Sequence, residues 1–454
     1  MIRHDQNIGL KFMQLGMLAL ALGTFFGVIG GFQFLFPDFL KELLFTKTRP
    51  LHVSMVVSWI FLIAVGGIYY YLPKQCNLKL FSNRLASLHF FIFFITGVAI
   101  LGAYCFGKFG GREYFEFPPI LSIPIFISWV MFGFNYFKTV MKDQKPWPVY
   151  YWQWGTGIVC FFLTYLESHL YLIPFFRETM VREIIVQWKS YGALTGSWNM
   201  LVYGTALYIA TRIGGNDKPA RSNLSFGLYF LGLVNLILGW AHHAYLVPSE
   251  TWIRTLAYFV SMTELFIFGK ILWDWRLSLD SWRKNKHRIA YRFLFAADIW
   301  VFINLTLALA ISVPVLNFFT HGTHITVAHA MGSTIGINTM ILLASIFYVI
   351  SEELPEVSLQ KNSQHVLTGF WITNISLGIF FVALILAGIA KSMYSDLPFA
   401  VMMYNIRPYL IAFTISGVAL MLGIWMVLWT AYTKISVVLS ASNTNHKKLS
   451  TIES

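Results

Sequence analysis

The stretch THITVAHAMGSTIGINTMILLASIFYVI, residues 323–350, decides the fold of this chain. It contains no aspartate, glutamate, lysine or arginine, and it is longer than the roughly 20 apolar residues that carry a helix across a bilayer core. It also contains His329, and a histidine at mid-membrane depth is costly enough to indicate a function. The stretch therefore predicts a membrane-spanning helix with a functional side chain inside the membrane.

Other segments of similar length and apolar composition occur along the whole chain. They cover residues 12–36, 51–73, 84–107, 118–140, 149–176, 184–212, 225–248, 252–274, 290–315, 365–390 and 408–434. The connections between them are short and polar, so no linker separates two domains. The sequence predicts an all-α, polytopic membrane protein with about twelve transmembrane helices. We expect these helices to form a single domain over residues 1–436. A polar, disordered cytoplasmic tail is expected to follow over residues 437–454.

The composition favours a membrane bundle and excludes several classes of protein. Of the 454 residues, 57% are hydrophobic and only 12% are charged, whereas a soluble domain has about 25% charged residues. The net charge of +13 fits loop lysines and arginines beside anionic lipid headgroups. No RNA-binding or DNA-binding signature accompanies this charge, so a nucleic-acid partner is not expected. The three cysteines form no CxxC or CxxCH pattern, which argues against a disulfide framework and a covalently attached c-type haem; they are Cys76, Cys105 and Cys160.

The loops predict the orientation of the bundle. Residues 12–36 are apolar for longer than the core of a signal peptide, so we expect them to be the first span. About twice as many lysines and arginines lie on the side that holds the N-terminus as on the other side, and loop 270–292 contributes most. With an even number of spans, both termini lie in the cytoplasm of a bacterial inner membrane. Transporters share this architecture. The polar residues inside the spans therefore have to show whether this chain is a transporter or a protein of another class.

Two adjacent histidines lie in the predicted span 225–248. Neighbouring helix residues point about 100° apart, so His242 and His243 can both reach one ion that sits against the helix. Neutral imidazole is the commonest protein ligand for iron and copper. The pair predicts a metal site, and two hydrogen-bonded histidines near a membrane interface are the alternative.

The span 323–350 carries the sequence His329-Ala330-Met331. Two residues along a helix turn by about 200°, so His329 and Met331 face opposite sides. Histidine and methionine are both axial ligands of haem, which predicts one haem against each face of this helix. His52, at the start of the span 51–73, is a candidate second ligand for the haem that meets Met331. A packed histidine and an ordinary core methionine are the alternative.

Three further polar residues fall inside predicted spans. Tyr191 and Thr195 are four residues apart and share a helical face, and both are candidate catalytic residues together with Glu264. Glu264 lies in the middle of the span 252–274 without a basic neighbour, so its carboxyl group is protonated or lines a path for protons or water. A protonated glutamic acid bonded to a backbone carbonyl is the alternative for Glu264.

Five features, in order along the chain, resemble the catalytic subunit of the haem-copper oxidase superfamily. They are RPLH at 49–52, GREYFE at 111–116, WAHH at 240–243, Glu264, and THGTHITVAH at 320–329. Within the superfamily they are most similar to the cytochrome b subunit of nitric oxide reductase, with some likeness to the C-type (cbb3) oxygen reductases. The likeness covers nearly the whole chain and implies a subunit I-like bundle.

The resemblance implies a ligand role for each histidine. His52 would ligate a low-spin haem b, with Met331 at the position of the family's second histidine ligand. His329 would ligate a high-spin haem b3. His242 and His243 would hold a non-haem metal, which is iron in the reductases and copper in the oxidases.

The resemblance also implies roles for charged residues. Glu113, with Arg112 beside it, matches a glutamate that binds a calcium ion bridging haem propionates. Glu116 and Glu264 match carboxylates tied to proton entry and to the active site. Because the chain has no c-type haem motif, a cytochrome c-type partner subunit or another electron donor is implied.

The chain departs from the family pattern around the metal. The family's third metal histidine falls on Tyr191 and its neighbouring glutamate on Thr195. Met331 replaces a histidine, and His/Met ligation raises the potential of a haem. Residues 235–240 contain no tyrosine, unlike the C-type oxidases, which disfavours ordinary oxygen reduction.

The resemblance predicts a respiratory membrane oxidoreductase that reduces nitric oxide to N2O at a haem b3/non-haem metal centre. The small gas substrate, NO or O2, and the lipid bilayer would be its other partners. The alternatives are a C-type terminal oxidase, a variant similar to nitric oxide dismutase, a divergent haem protein without activity, and a transporter with coincidental histidines.

Overall fold

The computed structural model describes residues 4–248, 250–253, 255–256, 258–260, 262, 286–360 and 362–452. Regular structure within these residues is helical, apart from one isolated bridge between Arg112 and Phe115. The long helices are α1 (His4–Leu35), α2 (Phe45–Cys76), α3 (Asn83–Cys105), α4 (Ser122–Val140), α5 (Val149–Glu167), α6 (Met180–Gly214), α7 (Asn223–Leu238), α8 (Arg288–Ser312), α9 (His324–Glu353), α10 (Ser363–Met393) and α11 (Phe399–Ile452). The predicted all-α class is confirmed.

Nine helices in the described part of the chain are long and apolar enough to cross a membrane, by length and composition. α5 and α6 occupy the predicted spans 149–176 and 184–212 but are not among these nine. Most of the predicted span 252–274, including all of residues 263–274, lies outside the described residues. The number of twelve spans therefore stays a prediction.

Local sequence sets several helix boundaries. The Ser82 hydroxyl accepts a hydrogen bond from the Leu85 amide at 3.2 Å, which caps the start of α3. Thr179 caps α6 in the same way, through the amide of Arg182. α6 ends at Gly215, whose φ of 65° lies in the left-handed region that favours glycine.

α2 and α9 form the centre of the bundle, since most of α2 and nearly all of the most apolar 18-residue stretch of α9 are buried. α1 packs along α2 where Gly9 and Gly66 meet, and a Cβ atom on Gly9 would lie 2.5 Å from the Gly66 carbonyl oxygen. Only glycine permits so close an approach. On the side of α9, the Trp59 indole of α2 donates a hydrogen bond to the Thr339 hydroxyl at 3.1 Å. α2 is therefore fixed against both of its neighbours.

α9 changes its winding along its length. It is α-helical over His324–Met331, π-helical over Gly332–Thr339 and α-helical again over Met340–Glu353. A π-helix has a wider turn, closed by hydrogen bonds between residues i and i+5. The wide segment faces α8, where a Cβ atom on Gly332 would lie 2.3 Å from Oδ1 of Asn304. It begins directly after the two predicted haem ligands of this helix.

The last helix differs from expectation at its end. α11 continues to Ile452, through the stretch for which the composition predicted a disordered tail. No glycine or proline follows Gly423, so nothing in the local sequence interrupts the helix.

Candidate functional site

α9 separates two cavities. Met331 lies on the wall of the first, together with His52 and Arg49; this His52 cavity has a volume of about 170 Å³. His329 lies on the wall of the second, together with His242 and His243; this His329 cavity has a volume of about 190 Å³. The structure thus places His329 and Met331 on opposite sides of one helix, as a rotation of about 200° requires.

The ring of His52 is oriented from α1. Its Nδ1 atom lies 2.8 Å from the carbonyl oxygen of Gly23. Because a carbonyl oxygen only accepts, Nδ1 carries the proton and Nε2 keeps a lone pair for a metal. Gly27 leaves room for the ring, since a Cβ atom there would lie 3.0 Å from Cε1 of His52. His52 therefore fits an axial haem ligand, with the Met331 thioether on the same cavity wall.

Arg49, one turn before His52 in α2, carries the positive charge of the His52 cavity. Its guanidinium forms ion pairs with Glu113 and, at 2.8 Å, with Glu116. Burial raises the pKa of the Glu116 carboxyl group, while its own backbone amide and the Arg49 guanidinium oppose that rise. Sequence reasoning missed Arg49, although its position three residues before His52 places both on one helical face.

The carboxylates come from a tight turn between α3 and α4. A Cβ atom on Gly111 would lie 1.7 Å from the Phe115 carbonyl oxygen, so only glycine fits at this position. Glu113 was predicted to bind calcium, and its carboxylate pairs with the Arg49 guanidinium in the structure. Calcium takes six to eight oxygen ligands, and the described residues contain no group of three His, Cys, Asp or Glu side chains that could hold an ion. A calcium site at Glu113 stays a prediction.

The Arg112 side chain comes from the same turn as Glu113 and Glu116 and contacts α6. Its Nε atom donates to Glu183 of α6 at 2.6 Å, and its guanidinium lies 4.5 Å from the centre of the Tyr171 ring. Arg112, a predicted cofactor ligand, does not line either of the two cavities beside α9.

The paired histidines lie on a short 3₁₀ turn, Gly239–Ala244, that continues α7. The ring centres of His242 and His243 are 4.2 Å apart, with 43° between their planes. Trp188 of α6 stacks on His243 at 5.6 Å and 10°. The stacking fixes the His243 ring, and sequence reasoning missed Trp188 because it lies on a different helix.

Two glycines of α6 allow this helix to pack closely against α7 and the turn that carries the paired histidines. A Cβ atom on Gly192 would lie 2.6 Å from Cβ of Trp240, and one on Gly196 would lie 2.8 Å from Cγ of Leu236. Both glycines line the His329 cavity. The turn that carries His242 and His243 therefore packs closely against α6, beside the His329 cavity.

Two buried imidazole nitrogens of residues that line the His329 cavity, Nδ1 of His242 and Nδ1 of His329, make no close hydrogen bond among the described residues. The backbone groups of Gly239 and Asn304 are the nearest hydrogen-bonding neighbours of these two rings. A buried polar atom without a hydrogen bond lowers the stability of the fold by about 1–3 kcal/mol. Such atoms are typical of residues that bind a further group. His329 therefore fits a haem ligand. His321 lines the same cavity, and burial lowers the pKa of its imidazole, which favours the neutral ring.

The predicted catalytic residues are separated in the structure. Thr195 lines the His329 cavity, and its hydroxyl donates to the Tyr191 carbonyl oxygen at 3.0 Å. Tyr191 does not line this cavity; its ring packs against Tyr114 with centres 4.9 Å apart. α6 is helical through both residues, as predicted, and only Thr195 reaches the cavity wall. A catalytic role for either residue stays a prediction. Glu264 lies outside the described residues.

The donor set does not fit the predicted non-haem metal. Zinc, iron and copper sites in proteins use three or more protein ligands in general. The described residues contain no group of three His, Cys, Asp or Glu side chains able to hold a metal. His242 and His243 supply two adjacent imidazoles. His321 lines the same cavity but completes no such group of three among the described residues, and α6 adds no imidazole.

Comparison with known proteins places the chain in a family. The model of the family described as Cytochrome C and Quinol oxidase polypeptide I matches residues 7–438. The chain belongs to this family. It is therefore a multi-pass membrane protein of the haem-copper oxidase superfamily, whose members are oxidoreductases.

Two relatives illustrate the range of the family. The B subunit of nitric oxide reductase from Stutzerimonas stutzeri is 24% identical over 429 residues, which cover 87% of this chain and 86% of that protein. The Cbb3-type cytochrome c oxidase subunit CcoN1 of the same organism is 21% identical over 407 residues, which cover 83% and 81%.

A solved structure shares the fold. A heme-copper terminal oxidase dimer, determined by cryo-electron microscopy, is similar with a TM-score of 0.77 and 13% sequence identity. The similarity covers 96% of this chain and 84% of that chain. The predicted subunit I-like bundle is confirmed.

Proposed function

We propose that this chain is the haem-binding subunit of a respiratory oxidoreductase that reduces nitric oxide. In this reaction two molecules of NO, two electrons and two protons give N2O and water. One observation carries the proposal: α9 presents Met331 to the cavity of His52 and His329 to the cavity of His242 and His243. The similarity to the nitric oxide reductase of Stutzerimonas stutzeri supports NO as the substrate.

The His52 cavity is the proposed place of electron entry. A low-spin haem held by His52 and Met331 would supply a one-electron carrier. The hydrogen bond from His52 to the Gly23 carbonyl keeps Nε2 available as a ligand. Arg49 supplies a positive charge on the same wall, which favours anionic groups such as carboxylates there.

The His329 cavity is the proposed place of gas reduction. A high-spin haem on His329 would supply the iron that binds the gas and delivers electrons to it. His242 and His243 bring imidazole groups to the same cavity, and Thr195 and Asn199 bring a hydroxyl and an amide. These groups donate and accept hydrogen bonds and can hold water and protons beside the gas.

The proposal extends to partner and location. A chain without a CxxCH motif needs a cytochrome c-type partner subunit or another electron donor. The excess of lysine and arginine in alternate loops supports an inner-membrane location with both termini in the cytoplasm.

An expression experiment tests the proposal. The full chain, purified in detergent with any co-purifying partner, is expected to show haem absorbance and a CO-induced spectral change, and to consume NO with release of N2O. His329→Ala is expected to abolish the CO response while the low-spin haem remains. His324→Ala is the matched control, because His324 lies on the same helix but lines neither cavity. A purified protein without haem, or a His329→Ala variant with an unchanged CO response, would refute the proposal.

A gas-binding haem protein without turnover is the second candidate. It is favoured by the two-imidazole donor set, which lacks a third metal ligand among the described residues. The same assay separates the functions: the second candidate binds CO and NO but consumes neither NO nor O2. An oxidase would consume O2, and a dismutase-like variant would convert NO without N2O.

A further inference from the structure

Small and neutral polar residues form the α6 side of the His329 cavity. They are Gly192, Thr195, Gly196, Asn199 and Tyr203. None of these has an imidazole, thiolate or carboxylate group. The Thr195 hydroxyl is used within its own helix, since it donates to the Tyr191 carbonyl oxygen.

Tyr191 does not replace a metal ligand. Its ring lies 4.9 Å from the ring of Tyr114 and 6.2 Å from that of Phe115, both in the turn between α3 and α4. Its electrostatic neighbours include Glu113 and Glu116 of the same turn. The Tyr191 ring therefore packs against the acidic turn, and it does not line the His329 cavity.

The indole of Trp188 packs against the histidine pair on the side of α6. Trp188 lies one helical turn before Gly192 and stacks on His243, with 5.6 Å between ring centres and 10° between planes. A Cβ atom on Gly192 would lie 4.0 Å from Cδ2 of His243, so α6 touches this ring through glycine and indole. Neither group donates a lone pair to a metal.

We infer that this chain holds its gas-binding haem on His329 without a second metal, and that His242 and His243 act there as hydrogen-bonding groups. The inference rests on the proposed haem site. A neutral imidazole offers one N–H donor and one acceptor nitrogen. His242 and His243 both line the cavity, so their imidazoles can form hydrogen bonds with a gas or water molecule there. This arrangement differs from the dinuclear centre that family membership implies.

Metal counting in the purified protein tests the inference. Haem iron is measured as the pyridine haemochrome, and total iron and copper are measured by mass spectrometry on the same sample. We expect total iron to equal haem iron and copper to be absent. One equivalent of non-haem iron or copper per chain would overturn the inference and leave the proposed function standing. A protein without haem would overturn both.

A variant tests the role of the paired histidines. His242→Ala is expected to leave the metal content unchanged and to speed CO or NO dissociation about three- to tenfold, because one hydrogen bond is lost. His324→Ala serves again as the control and is expected to leave the dissociation rate unchanged. If His242→Ala loses a non-haem metal, or if its gas dissociates at the wild-type rate, the inferred role is wrong.

Discussion

Arg49 is expected to contribute most to stability when Glu116 is ionised. Arg49→Gln removes the guanidinium that contacts Glu113 and Glu116. The Glu116 side chain is only 15% exposed, whereas Arg49 and Glu113 are each 39% exposed, so water screens the contact to Glu113 more strongly. A hydrogen bond to a charged group contributes about 1.5–3 kcal/mol when it is shielded. We therefore expect Arg49→Gln to lower the free energy of unfolding by about 1–3 kcal/mol at neutral pH.

The sign of the pH dependence follows from Glu116. Burial raises the pKa of its carboxyl group in the folded protein, so the folded state binds this proton more tightly than the unfolded state. The free energy of unfolding consequently falls as the pH rises from the unfolded pKa through the folded pKa. Arg49 opposes the rise, so its removal raises the pKa of Glu116 further. The loss caused by Arg49→Gln is expected to be large near about pH 8 and small near about pH 5.

Denaturant unfolding of the purified protein in detergent, followed by tryptophan fluorescence at both pH values, measures this loss. Glu178→Gln is the matched control, because it breaks an exposed ion pair with Arg182 whose side chains are 60% and 36% exposed. The control is expected to change the free energy of unfolding by less than about 0.5 kcal/mol at either pH. An Arg49→Gln loss that equals the control, or that is the same at both pH values, would refute the reasoning.

Three further substitutions address the haem ligand and the packing of the helices. Met331→His is expected to lower the midpoint potential of the low-spin haem in a redox titration, since a second imidazole replaces the thioether; an unchanged potential would place Met331 outside the ligand set. Gly27→Leu is expected to displace the His52 ring and reduce the low-spin haem content, and full haem content would contradict this. Gly388→Leu, whose Cβ atom would lie 2.5 Å from a side chain of α9, is expected to destabilise the fold by about 1–3 kcal/mol in thermal unfolding, whereas Gly378→Leu has open space and should not.

The spans were predictable because a membrane leaves the backbone few choices. Every polar backbone group must be satisfied within the segment, so a long apolar stretch such as 323–350 must be helical. Helix ends were less predictable where apolar residues continue past the end. α5 stops at Glu167 although residues 170–173 are apolar, and Pro174 then begins a separate short helix.

Within the site, rotation along one helix was predictable and contacts between helices were not. The opposite directions of His329 and Met331 follow from helix geometry alone. The Tyr191 ring packs against Tyr114 in the turn between α3 and α4, which is distant in sequence. Trp188 was missed for the same reason, because its partner His243 is distant in sequence.

The π-helical segment of α9 has a consequence for insertions and deletions. A π-turn contains about one residue more than an α-turn, so Gly332–Thr339 shifts the phase of everything before it relative to everything after it. The later part is anchored to α2, where the Tyr71 and Ser345 hydroxyls lie 2.6 Å apart. If the same eight residues wound as an α-helix, His329 would turn by about 100° around the helix axis relative to the later part. Deleting one residue from the wide segment would offset that turn, whereas deleting one residue elsewhere between His329 and Ser345 would not. The directions in which α9 presents His329 and Met331 thus depend on the wide winding of this segment.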